Sequence, residues 1–124
     1  MKSPHLIRGS ACEGIAREWL LQRGLRFIEA NYYCPFGELD LIMMDNGCLV
    51  FIEVRYRRTA HFGGALESVT PVKQARLGRS AEHFLQRRNA CQMRPVRFDV
   101  IAISGKEPSL SVNWRRNAFC YDQQ

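Results

Sequence analysis

No apolar run in this 124-residue chain approaches the roughly 20 residues that a membrane helix needs, which excludes a membrane-spanning helix. The N-terminus, Met1-Lys2-Ser3-Pro4-His5-Leu6-Ile7-Arg8, lacks an apolar core segment, so no secretory signal is expected and a cytoplasmic location is. There is no internal repeat, low-complexity tract or linker, and residues 1–124 read as a single domain. Cysteines are few and unpaired in pattern: Cys12, Cys34, Cys48, Cys91 and Cys120 are odd in number, and no two stand at a metal or redox spacing. They read as reduced thiols serving as small apolar side chains.

Acidic charge is also scarce, with 12 Asp and Glu against 18 Lys and Arg, giving a formal net charge of +6 and a pI of about 9.4. Arginine supplies most of the excess, including Arg55, Arg57, Arg58, Arg76, Arg79 and Arg97. Its planar fork matches phosphate and stacks on bases, which suits a nucleic-acid partner. A solvated basic surface accounts for the same balance. A hydrophobic fraction of 46% and a charged fraction of 24% describe a globular protein with a core.

The periodicities predict a helix from about Gly9 to Arg23, with Ile15, Trp19 and Leu20 at helical spacing and Gly24 at the C-cap. Strands are predicted over Leu25–Tyr33, Glu38–Met44 and Cys48–Tyr56, with a tight turn at Gly47. A glycine-bearing loop follows from Arg58 to Gly64 and contains His61. Thr70-Pro71 reads as an N-cap and first helical residue. This second helix runs to about Arg88 on an apolar side made by Val72, Ala75, Leu77, Ala81, Phe84 and Leu85. Val96–Ile103 is a fourth strand and Leu110–Trp114 a fifth. The order α-β-β-β-α-β(-β) predicts an α/β fold, a mixed central sheet flanked by helices.

Two charged pairs, one of them acidic, interrupt the apolar strands. One lies in Gly37-Glu38-Leu39-Asp40-Leu41-Ile42, and the other charges lie in Leu49-Val50-Phe51-Ile52-Glu53-Val54-Arg55-Tyr56. Alternation puts Glu38 with Asp40, and Glu53 with Arg55, on shared faces. An unpaired buried carboxylate costs on the order of several kcal/mol, a large part of a domain's stability. Asp40 and Glu53 therefore need compensation, either by a divalent cation or by a buried salt bridge to Arg55 or Arg57.

An Asp in one strand followed by Glu-x-Lys in the next is the metal-binding core of restriction-endonuclease-like nucleases, and Asp40, Glu53 and Arg55 resemble it. The blocks Gly37–Ile42, Val50–Arg57, Phe62-Gly63-Gly64 and Arg97-Phe98-Asp99-Val100 further resemble the bacterial YraN family, grouped by fold with Holliday-junction resolvases. The likeness runs from Glu13 to Asp99. It implies a restriction-endonuclease-like three-layer fold and Mg²⁺- or Mn²⁺-dependent cleavage of DNA, branched or otherwise structured. Asp40 and Glu53 would be metal ligands, with the Val54 carbonyl as a third. Glu38, roughly 7 Å along the strand from Asp40, would serve a second metal or a bound water. Glu13 would be the acidic helix residue that resolvase-like members bring to the metal. Arg57, Arg58, Lys73 and Gln74 are candidate phosphate contacts, and resolvases suggest a homodimer, since a junction is two-fold symmetric.

Simpler roles stand beside these. Glu38 can pair with a surface arginine, Glu13 can be a solvated helix residue, and Lys73 and Gln74 an ordinary exposed turn. His61 can be a plain loop histidine, and Asp99 reads as a structural ion-pair partner of Arg97. One departure from the nuclease pattern bears on function: Arg55 stands where Lys is expected. Arginine stays protonated and cannot act as a base, but can clamp a phosphate. Three functions therefore follow for test: a Mg²⁺-dependent endonuclease, a nucleic-acid-binding module without efficient cleavage, and an interaction protein whose acids form only an ion-pair network.

Overall fold

The structure, a computed structural model, describes residues 9–58, 67–88 and 94–121. His61, Phe62, Gly63 and Gly64 lie outside the described residues. The elements are α1 (Gly9–Leu21), β1 (Arg26–Cys34), β2 (Gly37–Asp45), β3 (Cys48–Arg57), α2 (Pro71–Arg87), β4 (Val96–Lys106) and β5 (Ser109–Phe119). The strands form one sheet in the order β1-β2-β3-β4-β5. All neighbours are antiparallel except β3 and β4, which run parallel because α2 carries the chain back across the sheet.

Local chemistry fixes the boundaries. Asp45 pairs with Cys48, leaving a two-residue turn in which Asn46 (φ 50°) and Gly47 (φ 86°) are both left-handed. This is the hairpin geometry whose twist matches its strands, and Asn-Gly is the pair best able to adopt it. The first helix stops at Leu21, two residues short of Arg23. Gly24 (φ 95°) donates to the Leu21 carbonyl and Leu25 to that of Leu20, closing the last turn. Leu25 thus belongs to the cap and is buried, not to the first strand. At α2, the Thr70 hydroxyl accepts from the Lys73 N–H at 3.3 Å, with Pro71 next in the chain.

The fifth strand extends to Phe119, well past Trp114. Its outer half carries Arg115, Arg116 and Asn117, all exposed, and so has no apolar alternation. Pairing with β4 holds it instead, through Val100↔Arg115 and, past an irregularity, Phe98↔Phe119.

Leu49, Val50, Phe51 and Ile52 are buried without a break because both faces of β3 are covered. Alternate residues serve two cores. Val50 and Ile52 pack with Leu41, Met43, Ile101 and Ile103 under Cys12, Ala16 and Leu20 of α1. Leu49 and Phe51 pack with Ile42, Met44 and Phe98 against Ala81 and Phe84 of α2. The result is three layers, helix on sheet on helix.

Within the sheet, Asp99 is fully buried on β4. It accepts from Arg97 Nε and Nη2, from Trp114 Nε1 and from the Asn117 N–H, each at 2.9 Å. Arg97 also reaches Asp45 at 2.9 Å. These bonds hold the Arg97 guanidinium firmly protonated and compensate the Asp99 charge in full, the structural role expected for it.

Candidate active site

The hydrogen-bonded register of β2 with β3 ends at Leu41↔Ile52. Beyond it the two strands part, and the next residues are Asp40 on one and Glu53 on the other. Leu39 packs in the α2 core and Leu41 in the α1 core, although they are two apart. The strand therefore changes face at Asp40, in breach of the period-2 rule. Opposite it on β1, between Ala30↔Leu41 and Tyr32↔Leu39, Asn31 is left-handed at φ 54°. At this irregularity the Asp40 side chain reaches across to β3. There its Oδ2 accepts the Val54 N–H at 2.9 Å, satisfying a donor that the parted ladder leaves over.

A cleft of about 600 Å³ opens at this gap. Its floor is Asp40, Glu53, Val54 and Arg55, one wall is Cys12 and Glu13 of α1, and the other is Lys73, Arg76, Leu77 and Ser80 of α2. Glu38, Gly37 and Phe36 complete the rim. Carboxylate oxygens of Glu13, Glu38 and Asp40 lie within 4.8 Å of one another. Among the described residues no cation is ion-paired with any of these three.

The electrostatics follow from that crowding. Burial and then the nearby Asp40 push the Glu53 carboxyl up to about 8, although Arg55 opposes this. Burial, then Asp40 and Glu38, push Glu13 up to about 7. Both shifts have the same origin, acids gathered in a poorly hydrated place with too little positive charge. Arg55 supplies part of what is needed, with Nη2 at 3.0 Å from Glu53 Oε2 and both side chains largely shielded from solvent, at 20% and 13% exposure.

The sequence-derived candidates divide by place. Glu13, Glu38, Asp40, Glu53, Val54, Arg55 and Lys73 all line the cleft. Arg57 and Arg58 are exposed outside it, and Arg57 donates to the Tyr56 carbonyl at 3.2 Å. Gln74 turns away, its amide donating to the Val69 carbonyl at 3.0 Å beside a separate hollow that holds Arg115 and Phe119. Sequence reasoning missed Arg76, Ser80 and Phe36. For the first two a signal existed, because 73, 76, 77 and 80 follow the i, i+3, i+4, i+7 spacing of one helix face. Two polar atoms of the cleft residues, Arg55 Nε and Ser80 Oγ, are buried without a hydrogen-bond partner. Buried donors are rarely left so.

Residues 12–103, from the first wall of the cleft to the fourth strand, match the profile of the uncharacterised protein family UPF0102. The chain belongs to that family. It is 49% identical over 115 residues to a UPF0102 protein of Nitrosococcus oceani, covering 93% of each chain. It is 47% identical over 112 residues to one of Pseudoalteromonas translucida, covering 90% of this chain and 89% of the relative. A third, of Alkalilimnicola ehrlichii, is 45% identical over 117 residues, covering 94% and 90%. UPF0102 is the YraN family that the sequence blocks resemble, and the matched span contains every residue lining the cleft. No helix among the described residues is long and apolar enough to cross a membrane.

Proposed function

We propose that this UPF0102 protein is a metal-dependent endonuclease acting in the cytoplasm on DNA, branched or otherwise structured. The observation that carries the reading is the gathering of Glu13, Glu38, Asp40 and Glu53 in one cleft, with Arg55 and Lys73 beside them. Acids held this close raise one another's pKa, and a divalent cation relieves the repulsion. The donors are all hard oxygens, which suits Mg²⁺ or Mn²⁺ over a thiolate-seeking metal. Asp40 and Glu53, with the Val54 carbonyl, are the first ligands, and Glu38 and Glu13 serve the same ion or a second. Bound there, the ion would supply a water of lowered pKa and a Lewis acid for the phosphate.

The side chains do the rest. Arg55 lines the cleft and its guanidinium, a permanent cation, holds a phosphate oxygen. Lys73 and Arg76 set positive charge on the opposite wall, and Ser80 offers one more hydroxyl. Because a phosphate needs more charge stabilisation as it is attacked, Arg55 contributes most in the transition state. A homodimer would suit a two-fold symmetric junction.

A second reading, a nucleic-acid-binding module without efficient cleavage, draws on the 3.0 Å pair between Arg55 and Glu53. That contact engages a metal ligand with a group that cannot take a proton from water. Cleavage of duplex, single-stranded, flap and four-way DNA with Mg²⁺ and Mn²⁺ decides between the two. Metal-dependent cleavage abolished by Asp40→Asn and greatly slowed by Arg55→Ala, with binding largely kept, supports the enzyme. Salt-dependent binding with no cleavage by any of these, and activity created by Arg55→Lys, supports the module.

A further inference from the structure

The turn between β1 and β2 carries a feature that neither a metal site nor a phosphate site requires. Cys34 pairs with Gly37, so the turn is only Pro35 and Phe36. Its tip therefore presents a phenyl ring, 43% exposed, at the rim of the cleft. The ring leans on His83 of α2 at 6.3 Å between centroids and 71° between planes, an edge contact that sets its orientation. Next to it, Arg76 lies against Gly37, where a Cβ would stand 3.8 Å from Arg76 Cδ and 3.9 Å from Ser80 Oγ. The same cleft is thus lined by a flat apolar ring, the Arg76 and Arg55 guanidinium groups and Ser80, and just beneath its surface Arg55 Nε and Ser80 Oγ have no hydrogen-bond partner.

That combination matches a nucleotide: the donors suit its phosphate, and the ring suits the face of its base. We infer that Phe36 is a stacking platform for an unpaired base beside the phosphate held in the cleft, so that the preferred substrate is single-stranded or locally unpaired at the point of attack. The inference deepens the nuclease reading and rests on its nucleic-acid part. Inside a duplex both faces of a base are covered by its neighbours, so a side chain at a cleft rim can stack only on a base that has left the helix. The cleft, about 600 Å³, has room for one nucleotide beside the acids.

The test uses the full chain with a single-stranded DNA oligonucleotide carrying 2-aminopurine, whose fluorescence falls when it stacks. Ca²⁺ replaces Mg²⁺ to fill the acidic site with a cation of the same ligand preference. Wild-type binding should quench the probe. Phe36→Ala should abolish the quenching and weaken single-strand affinity roughly 5- to 150-fold, the range for one lost base stack. Duplex affinity should not change. Phe36→Leu, which keeps apolar bulk against His83, should behave as Phe36→Ala, whereas Phe36→Trp should restore both signals. No quenching in the wild type, or an equal loss of single-strand and duplex affinity in Phe36→Ala, overturns the inference. Cleavage assays fail or succeed separately: Phe36-dependent quenching without cleavage removes the enzyme but keeps the platform, and cleavage of duplex and single strand alike without quenching removes the platform alone.

Discussion

Asp40 Oδ2 and the Val54 N–H are 2.9 Å apart, and this bond stands where the β2–β3 ladder has stopped. Asp40 thus both carries charge into the cleft and closes a broken sheet. The two jobs separate by substitution. Asp40→Asn keeps an acceptor for Val54 while removing one of the crowded charges. Without metal it should melt at or above the wild-type temperature, and the rise in Tm that saturating Mg²⁺ gives the wild type should be lost or much reduced. Asp40→Ala strands the Val54 N–H and should be less stable than Asp40→Asn by about 1–3 kcal/mol. Thermal melts of the three proteins with Mg²⁺ and with chelator decide this. A metal-free Asp40→Asn that melts well below wild type would mean that its charge stabilises the fold.

The raised acids give a pH dependence of definite sign. Glu53 titrates near 8 and Glu13 near 7 in the folded protein, against 4.5 as the ordinary value. Between 4.5 and 8 the folded state therefore binds more protons than the unfolded one, so stability falls as pH rises. The contribution is complete below about 4.5 and gone above about 8. The metal-free protein should lose Tm from about pH 5 to about pH 8 and level off above it, and Glu53→Gln should flatten that slope. Protons and cation compete for the same oxygens, so Mg²⁺ affinity should rise over the same interval. Melting curves and metal titrations across this range check both; a Tm that climbs with pH contradicts the arrangement of charges.

Asp99 presents the opposite situation, a buried carboxylate with every need met. It lies at 0% exposure with four donor contacts at 2.9 Å. Asp99→Ala leaves Trp114 Nε1 and the Asn117 N–H without their acceptor and Arg97 with Asp45 alone, and should cost about 3–5 kcal/mol. Asp45→Ala should cost distinctly less, because Asp45 keeps 15% side-chain exposure and makes one contact with Arg97. Urea denaturation measures both. Asp99→Ala should leave any Mg²⁺-induced rise in Tm in place, since its carboxylate faces Arg97 and not the cleft acids.

Much of this arrangement is legible in the chain itself. Asn46-Gly47 announces its turn because few residue pairs accept two left-handed conformations. The unbroken run Leu49–Ile52 announces a strand covered on both faces, and Asp40 and Glu53 stand out because they interrupt such runs. What escapes is set by partners far away in sequence. The outer half of β5 is held by β4 and not by its own pattern. The change of face at Asp40 stands opposite a left-handed Asn31 on β1, and no period-2 rule foresees it. Lys73 and Gln74 are adjacent in the chain, yet helical rotation sends one to the cleft and the other to Val69.

Gly78 shows how a distant residue can reverse a local rule. Glycine inside a helix ordinarily costs about 1 kcal/mol relative to alanine, so Gly78→Ala in α2 would be expected to stabilise. Here the ring of Tyr121 lies against Gly78, and an added Cβ would stand 2.0 Å from its Cδ1 and 2.2 Å from its Cγ. Tyr121 also donates to Glu82 Oε1 at 2.9 Å, which ties the segment after β5 to the helix. Gly78→Ala must push the ring away and break that bond, and should destabilise by about 1–3 kcal/mol. With the ring already removed by Tyr121→Ala, the same substitution should recover its intrinsic benefit of about 0.5–1 kcal/mol. A double-mutant cycle by urea denaturation measures the change of sign. If Gly78→Ala stabilises equally with and without Tyr121, the ring does not occupy the glycine's place in solution.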